Sequence, residues 1–163
     1  MKLKFTFLID AAPERVWSAI ADWRAQGEWM LATRVEVVDD RSGAGGAGGA
    51  GGAGGVGTKI AAFTGLVPSR GWLGIWDLME VTSWDPPRHC EVLHYGRWLR
   101  GVGLFELQPA GSHQTLFIWS EELTGALATL IKPGLAVGVW LSLRRFARRI
   151  RTRRSQGFSK DSE

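Results

Sequence analysis

The sequence has a single cysteine, Cys90, among its 163 residues. One cysteine excludes a disulfide within the chain, so we expect a reducing compartment such as the cytoplasm rather than secretion. The apolar run at the N-terminus ends at Asp10. This run is too short for the hydrophobic core of a signal peptide, so the sequence predicts no secretory leader.

The segment from Leu123 to Leu143 is mostly apolar, is followed by arginines and is long enough to span a bilayer. Lys132 and Pro133, however, lie near its middle. A lysine at the centre of a bilayer costs roughly 2.5–3.5 kcal/mol. The preceding strands also need this segment to cover their apolar face. We therefore predict no transmembrane span.

Two kinds of chemical motif are missing as well. No group of His, Cys, Asp and Glu residues has the spacing of a metal site. No Gly-x-Ser-x-Gly or other nucleophile motif occurs. The sequence therefore predicts neither a metal nor another cofactor.

Glycine is abundant instead, and much of it falls in one tract. GAGGAGGAGGAGGVG occupies residues 43–57 and contains the Gly-x-Gly-x-x-Gly pattern of dinucleotide-binding sites. That pattern binds a pyrophosphate when it opens a helix. Here the tract leads into Val56-Gly57-Thr58-Lys59-Ile60, which is a strand pattern. We interpret the tract as a flexible loop between two strands rather than as a phosphate site.

The net charge of +4 comes from the C-terminal end of the chain. Residues 1–143 carry 12 Lys/Arg and 14 Asp/Glu, whereas residues 144–163 carry 8 and 2. The basic stretch has few interleaved aromatic residues, which argues against nucleic-acid binding. It is either a solvated helix end or a surface for peripheral contact with an anionic membrane. The residues concerned are Arg144, Arg145, Arg148, Arg149 and Arg151.

The order of the predicted elements favours an α+β fold. One strand is followed by two short helices, six further strands and a long C-terminal helix. Because helices do not alternate with strands, an antiparallel sheet with segregated helices fits best. The predicted strands are 3–9, 33–39, 58–64, 72–84, 89–96, 99–108 and 114–123; the long helix covers 125 to about 154, with a break or kink at Pro133.

Five stretches in this order resemble one protein family. They are IDAAPERVWSAIADW, EVTSWDPPR, HYGRWLRGVGLFEL, FIWSEEL and SLRRFARR, and together they cover about residues 3–150. The family is the polyketide cyclase/dehydrase and lipid-transport family of the START-like, birch-pollen-allergen-like (SRPBCC) superfamily. The resemblance implies a helix-grip fold, in which a curved seven-stranded antiparallel sheet wraps the C-terminal helix around a cavity.

The resemblance also implies a ligand and a domain layout. Members of this family bind hydrophobic small molecules in the cavity, and some are cyclases or dehydratases. We expect one domain over residues 1–154, with the glycine tract between strands two and three, and a disordered tail over 155–163. The implied function is binding or transport of a lipid or polyketide-like molecule, with cyclase/dehydratase activity as one alternative and a membrane- or partner-binding role for the basic helix as another.

One pair of titratable residues is a candidate catalytic site. Folding the predicted strands about their turns places His94, Gly101 and Glu121 in one row across three strands, within a register error of one or two residues. Glycine in the middle strand would let the outer side chains approach. An imidazole beside a carboxylate can act as general acid or base in an enolisation or a dehydration. The alternative is an ordinary polar pair on a sheet face.

Aromatic and large apolar residues on the strands and the last helix are candidates for the cavity wall. The sequence has nine tryptophans, and large aromatics line both cores and ligand cavities. For each residue, plain core packing is the competing interpretation. The candidates for the cavity wall are Trp76, Met79, Phe105, Phe117, Trp119, Leu130 and Trp140.

Overall fold

The fold is a seven-stranded antiparallel sheet with two α-helices and a short 3₁₀ helix. A computed structural model describes residues 1–39, 54–67, 70 and 72–157, without the side chains of 67, 126–132 and 152–157. The elements in chain order are β1 (Lys2–Ile9), α1 (Pro13–Ile20), the 3₁₀ helix (Arg24–Glu28), β2 (Thr33–Asp39), β3 (Lys59–Val67), β4 (Trp72–Asp85), β5 (His89–Tyr95), β6 (Arg100–Pro109), β7 (Thr115–Thr124) and α2 (Ala126–Gly157).

The sheet follows the chain order except at one point. Its strand order is β1-β7-β6-β5-β4-β3-β2, and every neighbouring pair is antiparallel. Strands β2 to β7 form a meander, because each is joined to the next by a turn or loop. The first strand instead pairs with the last, and α1 and the 3₁₀ helix bridge the distance to β2.

The first helix begins where the sequence predicts it. Pro13 occupies the first helical turn, where its missing N–H is not needed, and Glu14 lies near the positive end of the helix dipole. Val16, Trp17 and Ile20 are buried, as their helical spacing predicts. They join an aromatic core in which the Trp17 and Trp84 rings lie 4.9 Å apart, edge to face.

The second helix, α2, crosses the sheet face and completes the core. Val139, Leu143, Phe146 and Ile150 are buried along one side of it. The helix continues through Pro133 and does not break there. It also includes residues 155–157, the beginning of the predicted tail, whereas 158–163 lie outside the described residues. No helix within the described part of the chain is long and apolar enough to cross a membrane.

The predicted fold class is confirmed: the structure is an antiparallel α+β helix-grip arrangement with its long helix at the C-terminus. Most of the glycine tract, residues 43–53, lies outside the described residues. Its last residues precede β3 in a defined position, because the Gly57 N–H donates to the Val81 carbonyl at 2.8 Å. The tract thus falls between β2 and β3.

Candidate functional site

A cavity of about 510 Å³ lies between the sheet and α2. Six strands, β2 to β7, and α2 all contribute residues to its wall. Most of these residues are apolar, and the stacked rings of Phe105 and Trp119 lie in the wall with centroids 6.3 Å apart. The volume falls in the range typical of small-molecule sites.

A cluster of titratable residues interrupts this largely apolar wall, and His94 is at its centre. His94 lies on β5 and is 5% exposed. Its Nδ1 is 2.8 Å and 3.0 Å from the two carboxylate oxygens of Asp77, on the adjacent strand β4. Because a carboxylate only accepts hydrogen bonds, Nδ1 carries the proton and Nε2 is left as the free ring nitrogen. Nε2 is buried and has no hydrogen-bond partner among the described residues.

Glu121 is the second member of the cluster and comes from β7. It is 8% exposed, and its Oε1 accepts a hydrogen bond from Trp119 Nε1 at 3.1 Å. Its other oxygen, Oε2, is buried without a hydrogen-bond partner in the described part of the chain. Buried polar atoms are nearly always hydrogen-bonded, so His94 Nε2 and Glu121 Oε2, together with the unpartnered Trp23 Nε1 in the same wall, call for an explanation.

Glycine in the middle strand allows the two side chains to approach, as the sequence predicts, but the glycine concerned is Gly103. His94 does pair with Gly101, whereas Glu121 pairs with Gly103, two residues further along β6. A Cβ on Gly103 would lie 2.9 Å from His94 Nε2, so the imidazole leans across this position. The predicted register between β6 and β7 was therefore wrong by two residues. Because a shift of two residues does not change the face of the sheet, His94 and Glu121 still lie on the cavity side.

The protonation of the two groups is coupled. Burial would lower the pKa of His94, but the hydrogen bond and charge of Asp77, together with the charge of Glu121, raise it above its ordinary value. Burial raises the pKa of Glu121, with a smaller contribution from Asp77, and outweighs the opposing effects of His94 and Trp119. Both groups therefore hold their protons more tightly in the folded protein.

The structure places three of the seven predicted wall residues in the wall: Met79, Phe105 and Trp119. Phe117 shares the β7 face with Trp119 but is fully buried in the core, where it packs against Phe146. Whether the three wall residues bind a ligand remains a prediction.

The remaining wall candidates lie elsewhere or are undescribed. Trp76 alternates with the wall residues of β4 and therefore lies on the other sheet face, 39% exposed. Trp140 is also 39% exposed, with the Arg144 guanidinium 5.2 Å above its ring. The side chain of Leu130 lies outside the described residues. Trp76 and Trp140 therefore do not belong to the wall, because each side chain projects away from it.

Asp77 is the functional candidate that sequence reasoning missed. Its signal was present, because a single carboxylate interrupts the strand pattern WLGIWDLM. Such a residue is rarely buried unless it is paired. Pairing with His94 joins residues 17 apart in the sequence, which only the β4–β5 register reveals.

None of the α2 arginines whose side chains are described lines the cavity. Arg149 forms an ion pair with the Glu28 carboxylate and donates to the Glu28 carbonyl at 2.9 Å. Arg144 stacks on Trp140, whereas Arg145 and Arg151 are exposed. Contact with an anionic membrane through these residues stays a prediction.

Several solved structures share this fold. The Zhui aromatase/cyclase of Streptomyces sp. R1128 has a TM-score of 0.72 at 10% identity, over 94% of each chain. A protein of Thermus thermophilus has a TM-score of 0.69 at 17% identity, over 93% of this chain and 98% of that one. A protein from Arthrobacter aurescens has a TM-score of 0.68 at 13% identity, over 93% and 86%.

These likenesses establish the fold. The chain has the helix-grip fold of the polyketide cyclase and START-like proteins, which confirms the resemblance of its motifs at the level of structure. No protein-family model matches the chain, and no curated protein matches its sequence. What the cavity binds must therefore be argued from its own residues.

Proposed function

We propose that this protein binds a largely apolar small molecule in the cavity and holds one polar group of that molecule near His94 and Glu121. The observation that carries the proposal is a cavity of about 510 Å³ whose largely apolar wall contains three buried, unpartnered polar atoms, namely His94 Nε2, Glu121 Oε2 and Trp23 Nε1. Ligand sites combine apolar walls with a few placed polar groups in this way. The buried Cys90 fits the reducing cytoplasm, which we retain as part of the proposal.

A cavity-filling variant tests the proposal. Gly138 lies in the cavity wall on α2, and a Cβ placed there meets no atom within 4 Å. Gly138→Leu should therefore fill part of the cavity while favouring the helix. We expect it to weaken binding of a fluorescent probe, pyrenebutanol, by about tenfold or more, because the displaced ligand loses its apolar contacts.

Val137→Leu is the matched control, because Val137 is the adjacent residue and is 59% exposed outside the wall. It should leave probe binding unchanged.

Native mass spectrometry after gentle purification should also detect a co-purifying or loaded small molecule. Equal probe affinity in wild type and Gly138→Leu would place any ligand elsewhere and overturn the proposal.

A second candidate function is acid–base catalysis of a dehydration or cyclisation, which the Asp77–His94–Glu121 arrangement favours. In a dehydration, His94 Nε2 would take a proton from the carbon beside a carbonyl group. Glu121, whose raised pKa keeps it protonated more readily, would give a proton to the departing hydroxyl, which leaves as water. The proton then returns from His94 to Glu121. The aromatase/cyclase among the structural neighbours is consistent with such a role.

Turnover of an aryl β-hydroxyketone tests this second function, because the conjugated enone product absorbs in the near ultraviolet. His94→Gln should abolish turnover because it removes the base, whereas pyrenebutanol should still bind through the apolar wall, at reduced affinity because the hydroxyl loses Nε2. His113→Gln is the control, because His113 is exposed in the β6–β7 turn. Turnover that survives His94→Gln, or falls equally in both variants, would rule out His94 as the base.

A further inference from the structure

We infer that the cavity selects an uncharged ligand that carries a hydroxyl group, and that it discriminates against carboxylates and phosphates of the same apolar shape. The inference rests on the proposed ligand binding and deepens it by naming the chemical class. It distinguishes between the two expected ligand classes, lipids and polyketide-like molecules. Fatty acids and phospholipids carry anionic groups, whereas a polyketide-like polyol or phenol does not.

The charges in the wall disfavour an anion. Asp77 and Glu121 contribute two carboxyl groups, and His94 is their one basic partner there. None of the described residues that line the cavity is a lysine or an arginine. Even a protonated His94 is already matched by Asp77 at 2.8 Å. A ligand carboxylate would thus enter a low-dielectric site without a cation to pair with, which is costly.

The hydrogen-bonding pattern favours a hydroxyl group. His94 Nδ1 is used by Asp77 and Glu121 Oε1 by Trp119, which leaves Nε2 and Oε2. When these two atoms share one proton, either the imidazole is neutral and the carboxyl protonated, or the imidazole is protonated and the carboxyl ionised. Each state offers one donor and one acceptor. A hydroxyl group can satisfy both, whereas a carboxylate can only accept.

Gly103 supplies the space in which one ligand group can reach both atoms. It is the register partner of Glu121, and a side chain on it would collide with His94 Nε2. Both side chains therefore border the same position on β6. A hydroxyl group that reaches both side chains beside Gly103 would give the two buried atoms their missing partners, which otherwise pay a desolvation cost.

Two probes with one apolar skeleton test the inference: pyrenebutanol and pyrenebutyrate, titrated into the full chain at neutral pH by fluorescence anisotropy. We expect the alcohol to bind about tenfold more tightly or better, because an unpaired buried charge costs at least that much. Glu121→Gln removes one carboxylate and should narrow the ratio by strengthening pyrenebutyrate binding. Glu122→Gln, an exposed change on the other face of β7, should leave the ratio unchanged.

Each outcome decides something different. A preference for the alcohol in wild type, reduced in Glu121→Gln, supports the inference. Equal or tighter binding of pyrenebutyrate to wild type overturns the ligand class and leaves the proposed binding function intact. Binding of neither probe overturns both. Should Glu121→Gln fail to fold, as judged by circular dichroism, Asp77→Asn replaces it, because that variant also removes one carboxyl group from the wall.

Discussion

At the scale of single residues, His94 and Glu121 owe their properties to being buried together without being bonded to each other. Each is held by a different neighbour, Asp77 or Trp119, and each keeps one free buried atom. If every polar atom of this network were hydrogen-bonded within the protein, the network would only make the sheet more rigid. Because two atoms are not, the network can still form hydrogen bonds with a ligand. The hydrogen bonds to Asp77 and Trp119 therefore hold the two side chains in place, with one atom of each left to bind a ligand.

The first prediction concerns pH. The pKa of Glu121 is raised from 4.5 and that of His94 from 6.5, so both protons bind more tightly to the folded protein. The stabilisation that these two protons give the folded state is complete below the pKa values of the unfolded chain. It is lost as the pH rises through the higher pKa values of the folded protein. The slope is at most about 1.4 kcal/mol per pH unit for each proton.

Urea unfolding from pH 4.5 upward should show this dependence. The free energy of unfolding of wild type should fall more steeply with pH than that of Glu121→Gln, which lacks one of the two protons. Glu122→Gln should follow wild type. A Glu121→Gln curve parallel to wild type would mean that the pKa of Glu121 is not raised by folding.

The second prediction concerns Gly103→Ala. The new Cβ would lie 2.9 Å from His94 Nε2 and 3.0 Å from Val92 Cγ2, so both buried side chains must shift. We expect a loss of about 1–3 kcal/mol in unfolding free energy, which is typical of overpacking, and weaker pyrenebutanol binding. Urea unfolding and probe titration measure the two effects.

Gly134→Ala is the stability control for Gly103→Ala. A Cβ at this helical position meets nothing within 4 Å, so the change should stabilise the protein by about 0.5–1 kcal/mol through helix propensity. If Gly103→Ala were neutral in both stability and binding, the imidazole would not occupy the space above β6.

At the scale of elements, α2 is both the wall of the cavity and part of the core. Val139 and Ser142 line the cavity, and the buried Phe146 packs one turn further along, 4.8 Å from Trp29. The helix is fixed to the chain before β2 by a side chain, because Ser142 Oγ accepts the Leu31 N–H at 3.0 Å and donates to the Gly138 carbonyl at 2.7 Å. One hydroxyl therefore joins two walls of the cavity.

The third prediction follows from this hydroxyl. Ser142→Ala leaves the Leu31 N–H without its partner, and we expect the unfolding free energy to drop by about 1 kcal/mol. Chemical denaturation measures the loss. Ser18→Ala, an exposed change in α1, is the control and should be neutral or slightly stabilising. Equal stability of the two variants would show that Ser142 does not tie α2 to this segment.

At the scale of the whole molecule, the glycine tract is an extension of a hairpin that closes without it. Asp39 of β2 pairs with Lys59 of β3, so the strand ends are adjacent before and after the tract. The residues next to β3 are engaged, however. Gly54 lies against Trp84, where a Cβ would be 2.3 Å from the indole, and Gly57 is bonded to Val81. A deletion should therefore end before Gly54.

The fourth prediction is that deleting residues 44–52 preserves both folding and ligand binding. A shorter closed loop should stabilise the fold by roughly 1 kcal/mol at most, since closure entropy depends weakly on length. Denaturation and pyrenebutanol titration provide the measurement. A deleted protein that folds but no longer binds would identify the loop as a lid over the cavity.

Local sequence patterns were sufficient to predict the helices and strands. The helix at Pro13, the strand Thr33–Asp39 and the sheet's antiparallel class all follow from spacing, proline placement and element order. Strand ends differed by a residue or so, except that β3 extends to Val67. Within that extension Gly65 has no side chain and Leu66 is exposed, so the apolar pattern gave little sign of it.

The sequence by itself determined the fold class and the choice of His94 and Glu121, because alternation along each strand sets which face a side chain occupies. The tertiary structure alone decided the register that joins them across Gly103, the pairing of Asp77 with His94, and which tryptophans meet the cavity. These depend on contacts between strands far apart in the chain, and a shift of two residues there leaves every local pattern unchanged.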